Sequence, residues 1–175
     1  MSSLRFSLPG GAMMTGPAIL ARDMMTHKLI TLSPDMDVFV AIEVLLKKRI
    51  SGAPVVDVDG TFVGIFSERS CMKFIVDSAY DNLPGTTLRA FVDTQPPCIS
   101  PETDLLTICQ TFLNQATRRL PVIDEQGKLV GQISRRDAMR KVMQCHQTQR
   151  RQSTPEPLYL SAVVEDSQSV VARML

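Results

Sequence analysis

The chain has 175 residues, of which 44% are hydrophobic and 21% charged, and a formal net charge of +1. That apolar fraction excludes a disordered chain and suits one compact domain, or two small ones sharing a core. The balanced charge points neither to a polyanion binder nor to an acidic solvating tail.

In chain order, residues 1–20 read as an N-terminal extension. Phe6 to Leu20 is fairly apolar, but Pro9, Gly10, Gly11, Gly16 and Pro17 interrupt it and only Arg5 precedes it. A signal-peptide core or a membrane span needs a longer unbroken run, so no membrane insertion is expected. Met13-Met14 and Met24-Met25 read as gap-filling apolar residues. Leu29 to Leu32 then forms a short strand ended by Ser33-Pro34. Asp37 caps a helix in which Val38, Ile42, Leu45 and Leu46 recur at helical spacing, opposite Glu43, Lys47 and Lys48. Strands at Pro54 to Val58 and Phe62 to Phe66 are joined at Asp59-Gly60, a hairpin turn signal. Ser67 opens a second helix that runs to about Tyr80, and residues 81–86, with Pro84-Gly85, form a linker.

The same order then recurs. Cys98-Ile99 is the short strand, a helix starts at Leu105, strands follow at Leu120 to Asp124 and Leu129 to Ile133, and Ser134 opens the last helix. Sliding the sequence by 67 residues superposes Arg22 on Arg89, Ser33-Pro34 on Ser100-Pro101, and Asp37 on Asp104. It also brings Pro54-Val55 onto Pro121-Val122, Gly60 onto Gly127, Val63-Gly64 onto Val130-Gly131, and Ser67 onto Ser134. The duplication predicts an α+β fold of two β-α-β-β-α repeats, residues 21–80 and 87–146. A unit of this size buries too little to stand alone, so the two are expected to pack about a pseudo-twofold axis, with helices covering small sheets. Residues 147–175 form a polar tail, within which Leu158 to Val164 is a short apolar segment.

No catalytic or metal-binding constellation accompanies the repeat. Cys71, Cys98, Cys109 and Cys145 lack ligand spacing, and the two histidines, His27 and His146, fall outside the repeated positions. Free thiols at irregular spacing fit a reducing cytoplasm. Arg135, Arg136, Arg140 and Lys141 make the last helix start basic. With few aromatics to stack bases, this reads as a solvated face and not as a nucleic-acid surface.

The stretches Ser51-Gly52-Ala53-Pro54-Val55-Val56-Asp57 and Val63-Gly64-Ile65-Phe66-Ser67 resemble the cystathionine-β-synthase (CBS) domain family, whose paired motifs form a Bateman module. So do Leu120-Pro121-Val122-Ile123-Asp124 and Gly131-Gln132-Ile133-Ser134-Arg135-Arg136-Asp137. The resemblance spans roughly Ala21 to Gln144. It implies a nucleotide site in the cleft between the copies, with a Ser or Thr at a helix start near the phosphates and an Asp three residues on holding the ribose diol. Ser134 and Asp137 fit that pattern; the same pair would also serve as ordinary helix-start contacts. The first repeat has Ser67 but places Ser70 where the carboxylate is expected, and a hydroxyl cannot grip a diol with two charged acceptors. From the partner copy, the resemblance assigns Ser51, Gly52 and Ala53 to the Asp137 site, and Arg118 and Arg119 to the Ser70 site. Arginine suits a phosphate, although the pair would also stand as a solvated loop.

The expected function is therefore a regulatory module, not an enzyme and with no required cofactor. It would sense AMP, ADP, ATP or S-adenosylmethionine and act on a separate protein. The alternative is a ligand-free dimerisation or interaction module; Asp137 favours the first reading and Ser70 the second. A homodimer is expected under both.

Overall fold

The computed structural model describes residues 5–7, 13–15, 18–80 and 87–152. The chain divides into two units, residues 1–140 and 141–175, and both hairpins and their cores belong to the first. Its described elements are β1 (Arg5–Ser7), β2 (Met13–Thr15), α1 (Val38–Lys48), β3 (Gly52–Val56), β4 (Phe62–Ser67) and α2 (Glu68–Tyr80). They continue with α3 (Leu105–Asn114), β5 (Arg119–Ile123), β6 (Leu129–Ser134) and the start of α4 (Arg135–Gln152). Short 3-10 turns at Ala21–Asp23 and Leu88–Phe91 open the two repeats. The second unit is described only as the remainder of α4, which continues past Gln147, where the polar tail was expected to begin. The linker 81–86 and the apolar segment Leu158 to Val164 lie outside the described residues.

Each repeat is built by the same local chemistry. The Asp37 carboxylate accepts from Phe39 N at 2.8 Å and starts α1, which buries Val38, Ala41 and Leu45. In the second repeat Asp104 accepts from Leu106 N and Thr107 N and starts α3 over Ile108 and Phe112. β3 pairs antiparallel with β4, and β5 with β6, each with a bulge one pair before the turn, at Val55/Val56 and Val122/Ile123. Gly60 and Gly127, at φ 85° and 80°, close the two turns in a conformation that side chains disfavour.

The opening strands are shorter than the sequence suggests. Leu29 to Leu32 contributes a single parallel bridge, Leu32 to Val55, and Cys98-Ile99 contributes only Ile99 to Val122. The proline two residues on, Pro34 or Pro101, carries no N–H, so the pairing cannot extend toward the C-terminus. The first strand of each hairpin lies one or two residues nearer the N-terminus than its apolar run, whereas the second starts as expected and runs one residue further, to Ser67 or Ser134. Val58, expected to end the strand, is fully exposed in the turn.

The pseudo-twofold relation appears in the hydrogen bonds themselves. The two hairpin turns meet, with Thr61 opposite Lys128, Phe62 N donating to Gly127 O at 2.9 Å, and Leu129 N donating to Gly60 O at 3.2 Å. The opening segment of each repeat pairs with the other repeat. Thr26 exchanges two backbone hydrogen bonds with Gln132 on β6, and Asp93 exchanges two with Ile65 on β4. Ala21 N donates to Thr103 O just as Leu88 N donates to Met36 O. Every one of these contacts maps onto its counterpart by the 67-residue shift.

The cores interleave in the same way. Leu88 and Phe91 complete the core of the first repeat, with Val38, Leu45, Val55, Phe66 and Phe74. Ala21 completes that of the second, with Ile108, Phe112, Leu120, Val122 and Ile133. Neither repeat closes its apolar face alone, which is why the fold comes as a pair.

Candidate functional site

Because β4 leads directly into α2 and β6 into α4, each hairpin delivers a serine to a helix N-terminus at the junction between the repeats. Two cavities open there. The smaller, about 290 Å³, is lined by Thr26, Lys28, Gly52, Arg119, Gln132, Ser134 and Asp137 among others. The larger, about 530 Å³, is lined by residues including Ser51, Gly52, Ser67, Glu68, Arg69, Asp93, Arg118, Arg119 and Gln132. They are pseudo-symmetric. Thr26 corresponds to Asp93, Ser134 to Ser67, and Gly52 to Arg119. Gly52, Arg119 and Gln132 line both.

In the smaller cavity Ser134 and Asp137 form a reciprocal helix start. Ser134 Oγ donates to Asp137 Oδ2 at 2.6 Å, and Ser134 N donates to the same oxygen at 2.9 Å. Asp137 N donates back to Ser134 Oγ at 3.3 Å, and Arg140 Nη1 donates to Asp137 Oδ1 at 2.8 Å. Burial pushes the Asp137 carboxyl up, but the hydrogen bonds from Ser134 and Arg140 outweigh it. The net result lies below the usual carboxylate range. Asp137 is thus an ionised acceptor whose two oxygens are held in place by separate donors.

The first repeat has only a weak version of this arrangement. Ser67 N donates to Ser70 Oγ at 3.3 Å, and the two hydroxyls lie 3.5 Å apart. Ser70 is buried and lines neither cavity.

The other expected residues are distributed unevenly. Ser51 lines the larger cavity only, whereas Gly52 lines both. Ala53 is buried in the core and lines neither. Arg118 lines the larger cavity, as does Arg119, which also lines the one containing Asp137. The reason is pairing: Arg119 stands opposite Ser134 in the β5–β6 ladder. Sequence reasoning gave Arg119 to the opposite site alone, and it did not pick out Gln132, Thr26, Lys28, Asp93 or Arg69. The 67-residue register carries a signal for Arg69, which matches Arg136. Thr26 and Asp93 share no residue type and become visible only through their sheet pairing.

Arg135 organises the approach to the larger cavity. Its Nη2 donates to Phe112 O at 3.1 Å and to Thr117 O at 3.0 Å, and its guanidinium lies 5.7 Å from the Phe112 ring centroid. These contacts cap the C-terminal end of α3 and hold the segment that carries Arg118 and Arg119. The counterpart of Arg135 in the first repeat is Glu68. His27 Nδ1 lies 3.2 Å from Val130 O, an exposed surface contact. Among the described residues no cluster of three His, Cys, Asp or Glu could hold a metal, and no helix is long and apolar enough to cross a membrane.

Two hairpins joined at a pseudo-twofold axis, with matched cavities at the helix starts between them, define a paired CBS-type module. The profile of the CBS domain matches residues 21–77 and 88–144, and the chain belongs to the CBS domain family. An uncharacterised Methanocaldococcus jannaschii protein is 29% identical over 116 residues, 66% of this chain and 40% of that protein's length. The chloroplastic CBS domain-containing protein CBSX2 of Arabidopsis thaliana is 26% identical over 149 residues, 70% of this chain and 63% of its own length. The inosine-5'-monophosphate dehydrogenase of Aquifex aeolicus is 28% identical over 113 residues, a match to 22% of that enzyme's length.

Among solved structures, CBSX2 in complex with AMP superposes with a TM-score of 0.66 at 27% identity, covering 73% of this chain and 98% of that one. The CBS pair of another protein, crystallised with 5'-methylthioadenosine and S-adenosyl-L-methionine, gives a TM-score of 0.60 at 19% identity. It supports the fold alone.

Proposed function

We propose that this chain is a regulatory sensor of an adenine nucleotide or a related adenosyl ligand, without catalytic activity of its own. The observation that carries the reading is the Ser134–Asp137 arrangement lining a cavity between the repeats. An ionised carboxylate at a helix start offers two acceptors to a ribose diol, and the adjoining backbone N–H groups and Arg119 offer donors to a phosphate. The AMP complex of CBSX2, at 27% identity over most of the described fold, supports the ligand class. AMP, ADP, ATP and S-adenosylmethionine are the candidates. Ligand held by both repeats favours whichever relative arrangement it binds better, and a separate regulated protein reads that shift. A cytoplasmic setting, expected from the four free cysteines, belongs to the same reading.

The test is isothermal titration calorimetry of the full chain against AMP, ATP and S-adenosylmethionine, with Asp137→Ala as control. Saturable binding that weakens at least about tenfold in the variant is expected, since a charged acceptor is worth about 1.5–3 kcal/mol. Full affinity in a folded Asp137→Ala protein would remove the role given to that carboxylate.

A second reading rests on a different observation. Phe39, Val40 and Leu46 on α1, Met72, Ile75 and Val76 on α2, and Leu113 on α3 are exposed apolar side chains. Such faces suit a homodimer, and they favour a dimerisation module if no adenosyl ligand binds. Sedimentation velocity of the full chain measures this directly.

A further inference from the structure

We infer that a single polyphosphorylated adenine nucleotide lies across both cavities, its ribose at Asp137 and its phosphate chain on Arg119, Arg118 and Arg69. The inference deepens the sensor reading and rests on it. It comes from the adjacency of the two spaces, whose linings share Gly52, Arg119 and Gln132. Arg119 faces Ser134 across the β5–β6 ladder, so its side chain leaves the sheet on the Ser134 face, beside the Ser134–Asp137 contact. At the corresponding place in the first repeat, opposite Ser67, stands Gly52, which puts no side chain between the two spaces.

Beyond that point the larger cavity is lined by Arg118 and Arg69, both exposed. Among the described residues, the ion pairs formed by other arginines and lysines do not include Arg69, Arg118 or Arg119. Three unpaired guanidiniums around one space repel each other, and a phosphate chain relieves that repulsion. Glu68 and Asp93 line the same cavity and temper its charge without pairing to those arginines.

The larger cavity does not suit a second nucleoside of the same kind. Its counterpart of Asp137 is Ser70, which is uncharged, buried and off the lining. One cavity therefore reads the nucleoside and the other reads the length of its phosphate chain. The module discriminates by charge number, with ATP bound more tightly than ADP, and ADP more tightly than AMP.

Calorimetry of the full chain with AMP, ADP and ATP separates the possibilities. One ATP per chain is expected, with an ATP-over-AMP preference of about tenfold or more, because a charge-assisted hydrogen bond is worth about that factor. Arg118→Ala and Arg69→Ala should each cut that preference several-fold, and circular dichroism of these surface variants confirms that they fold. Two ATP per chain, equal affinity for AMP and ATP, or an unchanged preference in both arginine variants would overturn the inference while leaving the sensor reading in place. Absence of binding by all three nucleotides would overturn both.

Discussion

The two repeats share a backbone down to individual hydrogen bonds, yet they finish their helices and line their cavities with different chemistry. In the first, α1 ends with Arg49 in the left-handed conformation at φ 53°, and Ile50 N donates back to Leu45 O. In the second, α3 ends at Asn114, Gln115 N donates to Thr111 O, and the Arg135 side chain adds donors to the Phe112 and Thr117 carbonyls. At the start of α2 two serines touch weakly, whereas at the start of α4 a serine and a carboxylate lock together. The difference shows how a duplicated scaffold divides labour. Positions that fix the fold stay alike, while Ser70/Asp137, Gly52/Arg119 and Glu68/Arg135 carry the divergence in charge.

The largest test of that comparison concerns the two glycines where a neighbouring segment crosses each sheet. A Cβ on Gly64 would lie 2.2 Å from the Asp93 carbonyl oxygen, which is backbone and fixed by its pairing with Ile65. A Cβ on Gly131 would meet only side-chain atoms of Met25, the sulfur at 2.6 Å and Cγ at 2.8 Å, which yield more readily than backbone. Gly64→Ala should cost about 3 kcal/mol, at the upper end for overpacking, and Gly131→Ala about 1 kcal/mol. Urea unfolding of both variants gives the ratio; equal costs would show that the repeats tolerate crowding alike.

A middle-sized effect is the response to acid. Hydrogen bonds from the Thr107 side chain and from the Thr107 and Leu106 N–H groups hold the Asp104 carboxyl below its ordinary value of 3.8. Asp137 is likewise lowered on balance, against the effect of burial. A depressed folded value means that stability is in place above pH 3.8 and is lost as pH falls through the lower folded values. The first repeat has Ser70 in place of Asp137, so its helix start has nothing to titrate there. In the first repeat the Asp59 carboxyl, in the hairpin turn and bonded by Thr61, is lowered. The double change Asp104→Asn and Asp137→Asn should flatten the stability profile below pH 3.8 more than Asp59→Asn does. Thermal melts at a series of pH values above and below 3.8 measure the difference.

The smallest effect is at the helix ends. Arg49→Gly should raise stability by about 0.5–1 kcal/mol, because glycine adopts a left-handed cap without steric cost. The counterpart change, Ala116→Gly, relieves no such cap and should gain nothing in a parallel melt.

Much of the fold was legible because local rules and the repeat agreed. Asp37 and Asp104 announce helix starts, Asp59-Gly60 announces a turn, and the 67-residue register fixes which elements correspond. The opening strands were overestimated because an apolar run says nothing about whether a pairing partner extends beyond one residue. The candidate site was half legible. Ser134 and Asp137 lie three positions apart and follow a local pattern, so their contact could be anticipated. Arg119 was placed at one cavity when it lines both, since its reach depends on pairing with Ser134 across a hairpin.

By itself, the sequence determined a duplicated unit, its helix caps, its turns and the loss of a carboxylate at Ser70. All of these depend on residues within a few positions of each other, or on comparing one copy with the next. Only the tertiary structure decided the interleaving, in which Thr26 joins the second sheet, Asp93 joins the first, and Leu88 and Ala21 each complete the other repeat's core. It also decided that the two cavities share Gly52, Arg119 and Gln132. The physical reason is that neither half buries its own apolar face. The closing contacts come from the other copy, far along the chain, where no local pattern records them.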